Sequence, residues 1–551
     1  MVFGFGSASR RPGPASGNGV GVRAPTGASA PRGPPRQAHG STAPLRANAP
    51  PRGPIPGRIQ AAVEVFRRRS GAKAAPVARR YIVQTFGCQM NVHDSRRIEE
   101  VLHGEGYAPT EDAALADLIV VNTCSVREKA EHKLMSLLGT LRPYKETERE
   151  VRIAVAGCVA QQEGERLLKK APLIDLVLGP DNIPELPRLL RELDGGAPPA
   201  VRTEFDLADP QFLVARPRGG GEVTSFVTVM KGCDERCTFC IVPTTRGSER
   251  YRPADAIVGE VAEMAAGGVR EVTLLGQTVN SWFDPSELEA KPRSKAAPSG
   301  SQFADLLRRI AREVPELARL RYTSPHPRHL TDALIAAHAE LPLLPRHVHL
   351  PVQSGSDRVL KRMSRRYTRR LYAERTAKLK EAAPGLTLST DIIVGFPGET
   401  EEDFEETLSL VREVGFVSAF CFKYSPRPST PALKLGDDVP EAVKDERLQR
   451  LFEVVEGQQR VHLKSLVGTR QEVLVEGPND ASVNRYSGRS GRHEIVHLEA
   501  PEGIDPTGQL VEVTIEKAFR HSLLGRMDGA TLPERPVRRP RKKLPLLGAD
   551  A

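Results

Sequence analysis

Six of the seven cysteines in this 551-residue chain stand where metal chemistry would need them. Cys233, Cys237 and Cys240 lie in the run KGCDERCTFC, a C-x3-C-x2-C loop directly after a strand-like apolar segment. Thiolates are soft donors suited to iron–sulfur clusters or zinc. A loop this short can wrap three irons of a cubane and leave the fourth open, where the amino and carboxylate groups of S-adenosylmethionine (SAM) can chelate. The competing reading is a zinc knuckle completed by Cys421 or by a histidine such as His326; zinc spacings, however, pair two C-x2-C units. Cys421 sits in the apolar run SAFCF and reads as a core residue.

The other three cysteines are dispersed. Cys88, Cys124 and Cys158 end the segments YIVQTFGC (81–88), LIVVNTC (118–124) and IAVAGC (153–158), with 35 and 33 residues between them. If the three segments are parallel strands joined by right-handed crossovers, all three thiols emerge at one sheet's carboxyl edge, where open α/β sheets bind ligands. The bland reading makes them buried strand-end cysteines that act as small hydrophobes. Three ligands with no evident fourth suit a cluster with an open iron better than a closed structural zinc site, which takes four.

An odd number of cysteines argues against a disulfide framework and for a reducing compartment. No apolar run approaches the roughly 18 residues that span a bilayer, so a cytoplasmic protein without membrane contact is expected. The length suits about three domains. The net charge of +10 lies mostly in the tails: residues 1–57 carry seven Arg and no acid, and residues 531–551 carry six basic and two acidic residues, which leaves the middle near neutral. Overall basicity is therefore weak grounds for a nucleic-acid partner.

The elements that must position the cysteines follow from periodicity. Residues 1–57 hold 11 Pro and 11 Gly and read as a disordered basic arm, extending to about residue 78. Residues 79–195 show the strand–helix alternation of a parallel sheet. Residues 219–459 repeat it with VTSFVTVM, EVTLLG, LRYTS, HVHLPV, LSTDIIVGF and SAFCFKYS, predicting an α/β barrel or open part-barrel. Thr400 and Asp403 make a capping-box start to the helix after GFPG, itself either a functional loop or a plain turn. Residues 285–301 look like an inserted surface loop. Residues 463–528 change to short alternating strands of a small β-barrel, and 531–551 form a basic tail. The fold class is α/β, with that all-β domain at the C-terminus.

At these residues the chain resembles the methylthiotransferase family of radical SAM enzymes, over nearly everything from 80 to 528. The matching stretches are TFGCQMN (85–91), NTCSVREKAE (122–131), AGCVAQ (156–161), GCDERCTFCIVPTTRG (232–247), EVTLLGQTVNSW (271–282), HLPVQSGS (349–356), DIIVGFPGET (391–400) and YSPRPSTPA (424–432). The resemblance implies an N-terminal methylthiotransferase domain, a radical SAM core and a C-terminal RNA-binding TRAM domain. It implies two [4Fe-4S] clusters and SAM as cofactors. One cluster, on Cys233, Cys237 and Cys240, would generate a 5'-deoxyadenosyl radical; the other, on Cys88, Cys124 and Cys158, would hold the sulfur that is methylated and transferred. CTFCIVP, the run Val126–Ala130 and TVNSW resemble the branch that modifies C2 of N6-isopentenyl(dimethylallyl)adenosine at tRNA position 37. TVNSW stands where NVNSY is usual, which keeps Asn280 and an aromatic at 282. Other branches act on threonylcarbamoyl-adenosine or on a ribosomal protein, and a rival of another class is a zinc-stabilised, non-catalytic RNA-binding module.

Six strand-end residues are expected to contact SAM: Gly276, Gln277, Gln353, Ser354, Gly355 and Asp391. Arg246 reads as a substrate or phosphate ligand or as a solvated loop residue. The segment 357–370 (DRVLKRMSRRYTRR) concentrates seven basic residues, either an RNA contact or a solvated helix face. Arg485, Arg489 and Arg492 with Tyr486 suit RNA phosphates and stacking. Expected partners are tRNA, an external electron donor and a sulfur or cluster supplier, with the chain itself a monomer.

Overall fold

The computed structural model describes residues 79–125, 128–146, 151–205, 221–290, 302–479 and 485–527; the expected N-terminal arm and C-terminal tail lie outside them. Its first sheet comprises β1 (Arg80–Phe86), β2 (Ala108–Pro109), β3 (Leu118–Thr123), β4 (Arg152–Gly157), β5 (Leu176–Leu178) and β6 (Ala200–Arg202) in the order β2-β1-β3-β4-β5-β6. Every neighbouring pair is parallel. All six residues of β3 are buried because helices cover both faces, as an all-parallel sheet requires. On one face Ile119, Val121, Ile153 and Val155 pack with Leu134 and Leu138 of α2 (Glu128–Lys145). On the other, Leu118, Val120 and Ala154 pack with Ile98 and Leu102 of α1 (Gln89–Gly104) and Leu189 of α4 (Leu186–Asp194). Between them in the chain, α3 (Cys158–Glu163) opens directly on a cysteine.

The second region carries two parallel three-stranded sheets. β7 (Thr224–Thr228), β8 (Glu271–Leu275) and β9 (Arg319–Tyr322) run in the order β9-β8-β7; β10 (His347–His349), β11 (Thr387–Val394) and β12 (Ser418–Lys423) run in the order β10-β11-β12. One continuous apolar core, from Val227 and Leu274 through Leu320 and Leu350 to Ile392 and Phe404, underlies both sheets, giving the expected part-barrel. The short α5 (Val242–Arg246) follows the C-x3-C-x2-C loop, and α6 (Asp357–Arg362) and α7 (Arg369–Ala382) follow β10. The capping box forms as read: Thr400 accepts from the Asp403 N–H and Asp403 accepts from the Thr400 N–H, starting α8 (Glu401–Val414). Pro285–Ala290, read as the start of a surface loop, is a 3-10 helix, and the rest of that loop lies outside the described residues.

α9 (Glu441–Ser465) links the part-barrel to the C-terminal domain, contributing Leu451 and Val455 to one core and Leu463 to the other. There β13 (Arg470–Pro478), β14 (Arg485–Ser490), β15 (Ile495–Glu499), β16 (Leu510–Ala518) and β17 (Leu523–Met527) close a barrel in the order β13-β14-β15-β17-β16. It docks near the amino ends of β9 and β10: Arg319 donates to the Arg489 and Glu472 carbonyls at 2.7 and 3.1 Å, and His347 stacks on His493. The carboxyl ends of the part-barrel strands face away from this contact. No helix among the described residues is long and apolar enough to cross a membrane.

Candidate active site

The parallel register gathers the dispersed cysteines. Phe86, Thr123 and Gly157 are level across β1, β3 and β4, so Cys124 and Cys158 leave the sheet side by side and Cys88 follows one residue later. Two glycines make this possible. Gly87 has φ +148°, and a Cβ there would lie 2.6 Å from the Cys124 Cβ; Gly157 has φ +93°, and a Cβ would lie 2.3 Å from Asn122 Oδ1 and 2.6 Å from the Thr123 carbonyl. A buried amide ladder supports the edge: Asn91 Nδ2 donates to Asn122 Oδ1 at 3.1 Å, and Asn122 Nδ2 donates to the Asn91 carbonyl at 2.8 Å and Ser95 Oγ at 2.9 Å. Cys88 caps the amino end of α1. Its thiol is lowered to about 6 by hydrogen bonding with Cys124, against the opposing effect of burial and with help from Arg246. Burial pushes the Cys158 thiol up, and Arg246 works against that rise. An incoming metal would replace these thiol protons, as soft-ligand binding does.

The second triad is a loop anchored on both sides. The Cys233 N–H donates to the Gly247 carbonyl at 3.1 Å, the Cys240 N–H donates to the Cys237 carbonyl at 3.1 Å, and Thr238 is held by the Met363 and Arg362 carbonyls at 3.0 and 2.9 Å. Cys233 Sγ lies 3.0 Å from Thr278 Oγ1, and Arg365 Nη1 donates to Cys237 Sγ at 3.3 Å. Burial raises the Cys233 thiol to about 11 and the Cys240 thiol to about 12.

Among the described residues Glu235, His326 and His329 bring ligand atoms within 4.8 Å of one another. His326 is thus grouped with Glu235 and not with the thiols. Arg328 at 3.5 Å and Arg366 at 3.2 Å already neutralise Glu235. Cys421 lies in β12 with its side chain packed toward the core, as read.

The six strand-end residues have different surroundings. Gln277, next to Thr278, buries both amide atoms without a hydrogen-bond partner, so a donor and an acceptor are available beside the second triad. Gly276 is packed on Met230. Gln353 has φ +72°, a strained conformation held because its N–H donates to the Asp391 carbonyl at 2.8 Å and its carbonyl accepts from Ile393 at 2.9 Å. Ser354 Oγ and the Gly355 N–H bond to Thr407 of α8 at 3.3 and 2.9 Å, so these two engage the scaffold. Asp391 Oδ1 faces His349 Nε2 at 3.3 Å.

Arg246 is neither a solvated loop residue nor an exposed phosphate ligand. It is buried at the end of α5, and its Nη2 donates to Asp94 Oδ2 of α1 at 2.6 Å. The basic segment 357–370 also differs from a free RNA patch: Arg358 pairs with Asp403, Arg366 with Glu235, Arg369 with Glu413 and Arg370 with Glu374, while Arg362 donates to the Pro397 carbonyl. In the small barrel Arg485, Arg489 and Arg492 pair with Glu499, Glu476 and Glu494. Sequence reasoning missed the roles of Asp94, Asn91 and Asn122, polar residues in or beside the cysteine runs, and of Arg365, one of the seven cations of 357–370, because nothing in the spacing shows that they face the cysteine sites.

A part-barrel of parallel strands with a three-cysteine loop after its first strand, beside a second cysteine triad on a parallel sheet, defines a radical SAM transferase. The model for the radical SAM superfamily matches residues 227–411, and that described as uncharacterized protein family UPF0004 matches residues 80–179. A tRNA-2-methylthio-N(6)-dimethylallyladenosine synthase of Sorangium cellulosum is 59% identical over 496 residues, spanning 86% of this chain and 99% of its own length. Another of the same name, from Acidithiobacillus ferrooxidans, is 46% identical over 81% of this chain and 96% of its own length. The chain belongs to the family of tRNA-2-methylthio-N(6)-dimethylallyladenosine synthases. Among solved structures, a cobalamin- and [4Fe-4S]-bound radical SAM methyltransferase of Kitasatospora setae is 16% identical with a TM-score of 0.47, covering 65% of this chain and 77% of its own.

Proposed function

We propose that this chain transfers a methylthio group to C2 of N6-dimethylallyladenosine at position 37 of tRNA, using SAM and two [4Fe-4S] clusters. The observation that carries the reading is the buried Arg246–Asp94 pair, which joins the helix after the C-x3-C-x2-C loop to the domain whose strand ends carry Cys88, Cys124 and Cys158. Cys233, Cys237 and Cys240 would hold one cluster and Cys88, Cys124 and Cys158 the other. When bound, cluster and SAM supply the one-electron chemistry that an unactivated ring C–H bond demands.

The chain's residues bind, orient and neutralise. Arg365 donates to Cys237 Sγ and so orients that side chain in the loop. Gln277 offers a donor and an acceptor to SAM, and Gln353, Gly276 and Asp391 complete its surroundings, while Ser354 and Gly355 hold the Gln353 turn against α8. The small barrel, a TRAM domain in this reading, binds RNA through exposed charges such as Arg485. An external electron donor and a sulfur or cluster supplier would serve a monomeric enzyme.

Nucleoside analysis of tRNA from a strain lacking the protein tests this: the 2-methylthio form should vanish and unthiolated N6-dimethylallyladenosine accumulate. Retention of the 2-methylthio form of N6-dimethylallyladenosine, with loss of 2-methylthio-threonylcarbamoyl-adenosine or of a methylthio group on a ribosomal protein, would assign another substrate. Purified anaerobically, Cys233→Ala should lose reductive SAM cleavage, whereas Cys124→Ala should keep cleavage and lose methylthio transfer. Stoichiometric zinc in place of iron would favour a non-catalytic module.

A further inference from the structure

α5 starts two residues after Cys240 and ends on Arg246. Its last side chain leaves the part-barrel and enters the sheet domain, where it acts on the thiols of both Cys158 and Cys88. The Arg246 and Asp94 side chains are 4% and 2% exposed, so their 2.6 Å ion pair is almost wholly desolvated. Asp94 is shared, because Arg97 approaches its other oxygen at 3.4 Å. One carboxylate thus faces two guanidinium groups, of which Arg97 is also offset by Asp181 and Glu100. Arg246 Nη1 is buried without a well-aligned acceptor, and the guanidinium lies against the Cys158 thiol. An orphaned, charged N–H in such a place is costly, and the cost falls when an anion accepts from it. A cluster bound by three thiolates is anionic and gains negative charge on reduction.

We propose that Arg246 is a positioning residue shared by the two sites: its Nη1–H donates to the cluster held by Cys88, Cys124 and Cys158, and its short tether to Cys240 sets the spacing between that cluster and the SAM-binding loop. This rests on the two-cluster reading above. The same guanidinium that orients the cluster stabilises its reduced state and raises its reduction potential, as hydrogen bonds and charge near cluster sulfurs do. A conservative lysine retains the charge but loses the planar fork that holds Asp94 and the cluster together.

The test uses the full chain, reconstituted anaerobically with Cys233, Cys237 and Cys240 all changed to Ala, so that one cluster and one paramagnetic signal remain. In this background Arg246→Gln should move the midpoint potential to more negative values and speed iron release to a chelator several-fold. Arg246→Lys should restore most of the midpoint shift. Asp94→Asn, which removes an anion and leaves the guanidinium, should move the midpoint the opposite way; it carries the test if Arg246→Gln does not fold. An unchanged midpoint and release rate, accompanied only by a lower melting temperature, would make Arg246 a domain strut and overturn the proposal. A wild-type chain holding one cluster's iron, with none in the triple-alanine background, would refute the two-cluster reading and the proposal with it. Two clusters in the wild type with an Arg246-insensitive midpoint would refute the proposal alone.

Discussion

Replacing Gly157 by alanine should dismantle the first cysteine site while sparing the second. Gly157 joins β4 to Cys158 with φ +93° and ψ −159°, a region that is essentially glycine-only and costs other residues about 1–3 kcal/mol. The new Cβ would also stand 2.6 Å from the Thr123 carbonyl and 2.3 Å from Asn122 Oδ1. Neither neighbour yields easily: the first is backbone in a central strand, and the second is fixed by its 3.1 Å bond from Asn91. Overpacking of this kind adds about 1–3 kcal/mol, so the total loss is about 2–6 kcal/mol. That is a large part of the roughly 5–15 kcal/mol that holds a domain together. The assay is urea unfolding of the metal-free chain, with iron and sulfide measured after reconstitution. Iron should fall to one cluster's worth, with SAM cleavage retained. Gly139→Ala, in an open position on α2, is the control and should gain roughly 0.5–1 kcal/mol. Full iron and unaltered stability in Gly157→Ala would refute the claim that this backbone turn aligns the thiols.

Other outcomes follow from single contacts. Gln277→Leu should weaken SAM binding about 5- to 30-fold by calorimetry, the effect of removing hydrogen bonds worth about 1–2 kcal/mol, with iron content unchanged. Asp403, bonded to Ser356 and Arg358 as well as to its own cap, is buried; burial opposes its ionisation, yet these bonds lower its pKa from 3.8 to about 2. Its folded pKa lies below the unfolded one, so the stabilisation is complete above pH about 4 and disappears as the pH falls toward 2. Asp403→Asn should therefore cost about 1–3 kcal/mol at pH 6, and the gap from wild type should close at pH 2 in acid titrations of the urea midpoint. Arg485→Ala should weaken tRNA binding and reduce the slope of log K against log salt by about one, if that side chain meets a phosphate. An unchanged slope would remove Arg485 from the interface.

Periodicity alone placed the three cysteines at strand ends, the part-barrel after them, the Thr400–Asp403 cap and the closing small barrel, because each rests on local pattern: apolar runs, caps and turns. Loop spacing alone marked Cys233, Cys237 and Cys240 as one candidate ligand set. Charges were less readable. A run such as 357–370 declares seven cations, but whether a cation is free depends on the carboxylates that packing brings to it from distant parts of the chain, here Glu235, Asp403 and Glu413. Arg246 is the sharpest case. In the sequence it is one arginine before a glycine; in the structure it spans 152 positions to Asp94 and meets thiols from another domain. The sequence by itself determined which thiols are candidate metal ligands, since donor type and strand position are local properties. Only the tertiary structure decided which charges surround them, because desolvation and Coulomb energy depend on distances in space that no spacing along the chain records.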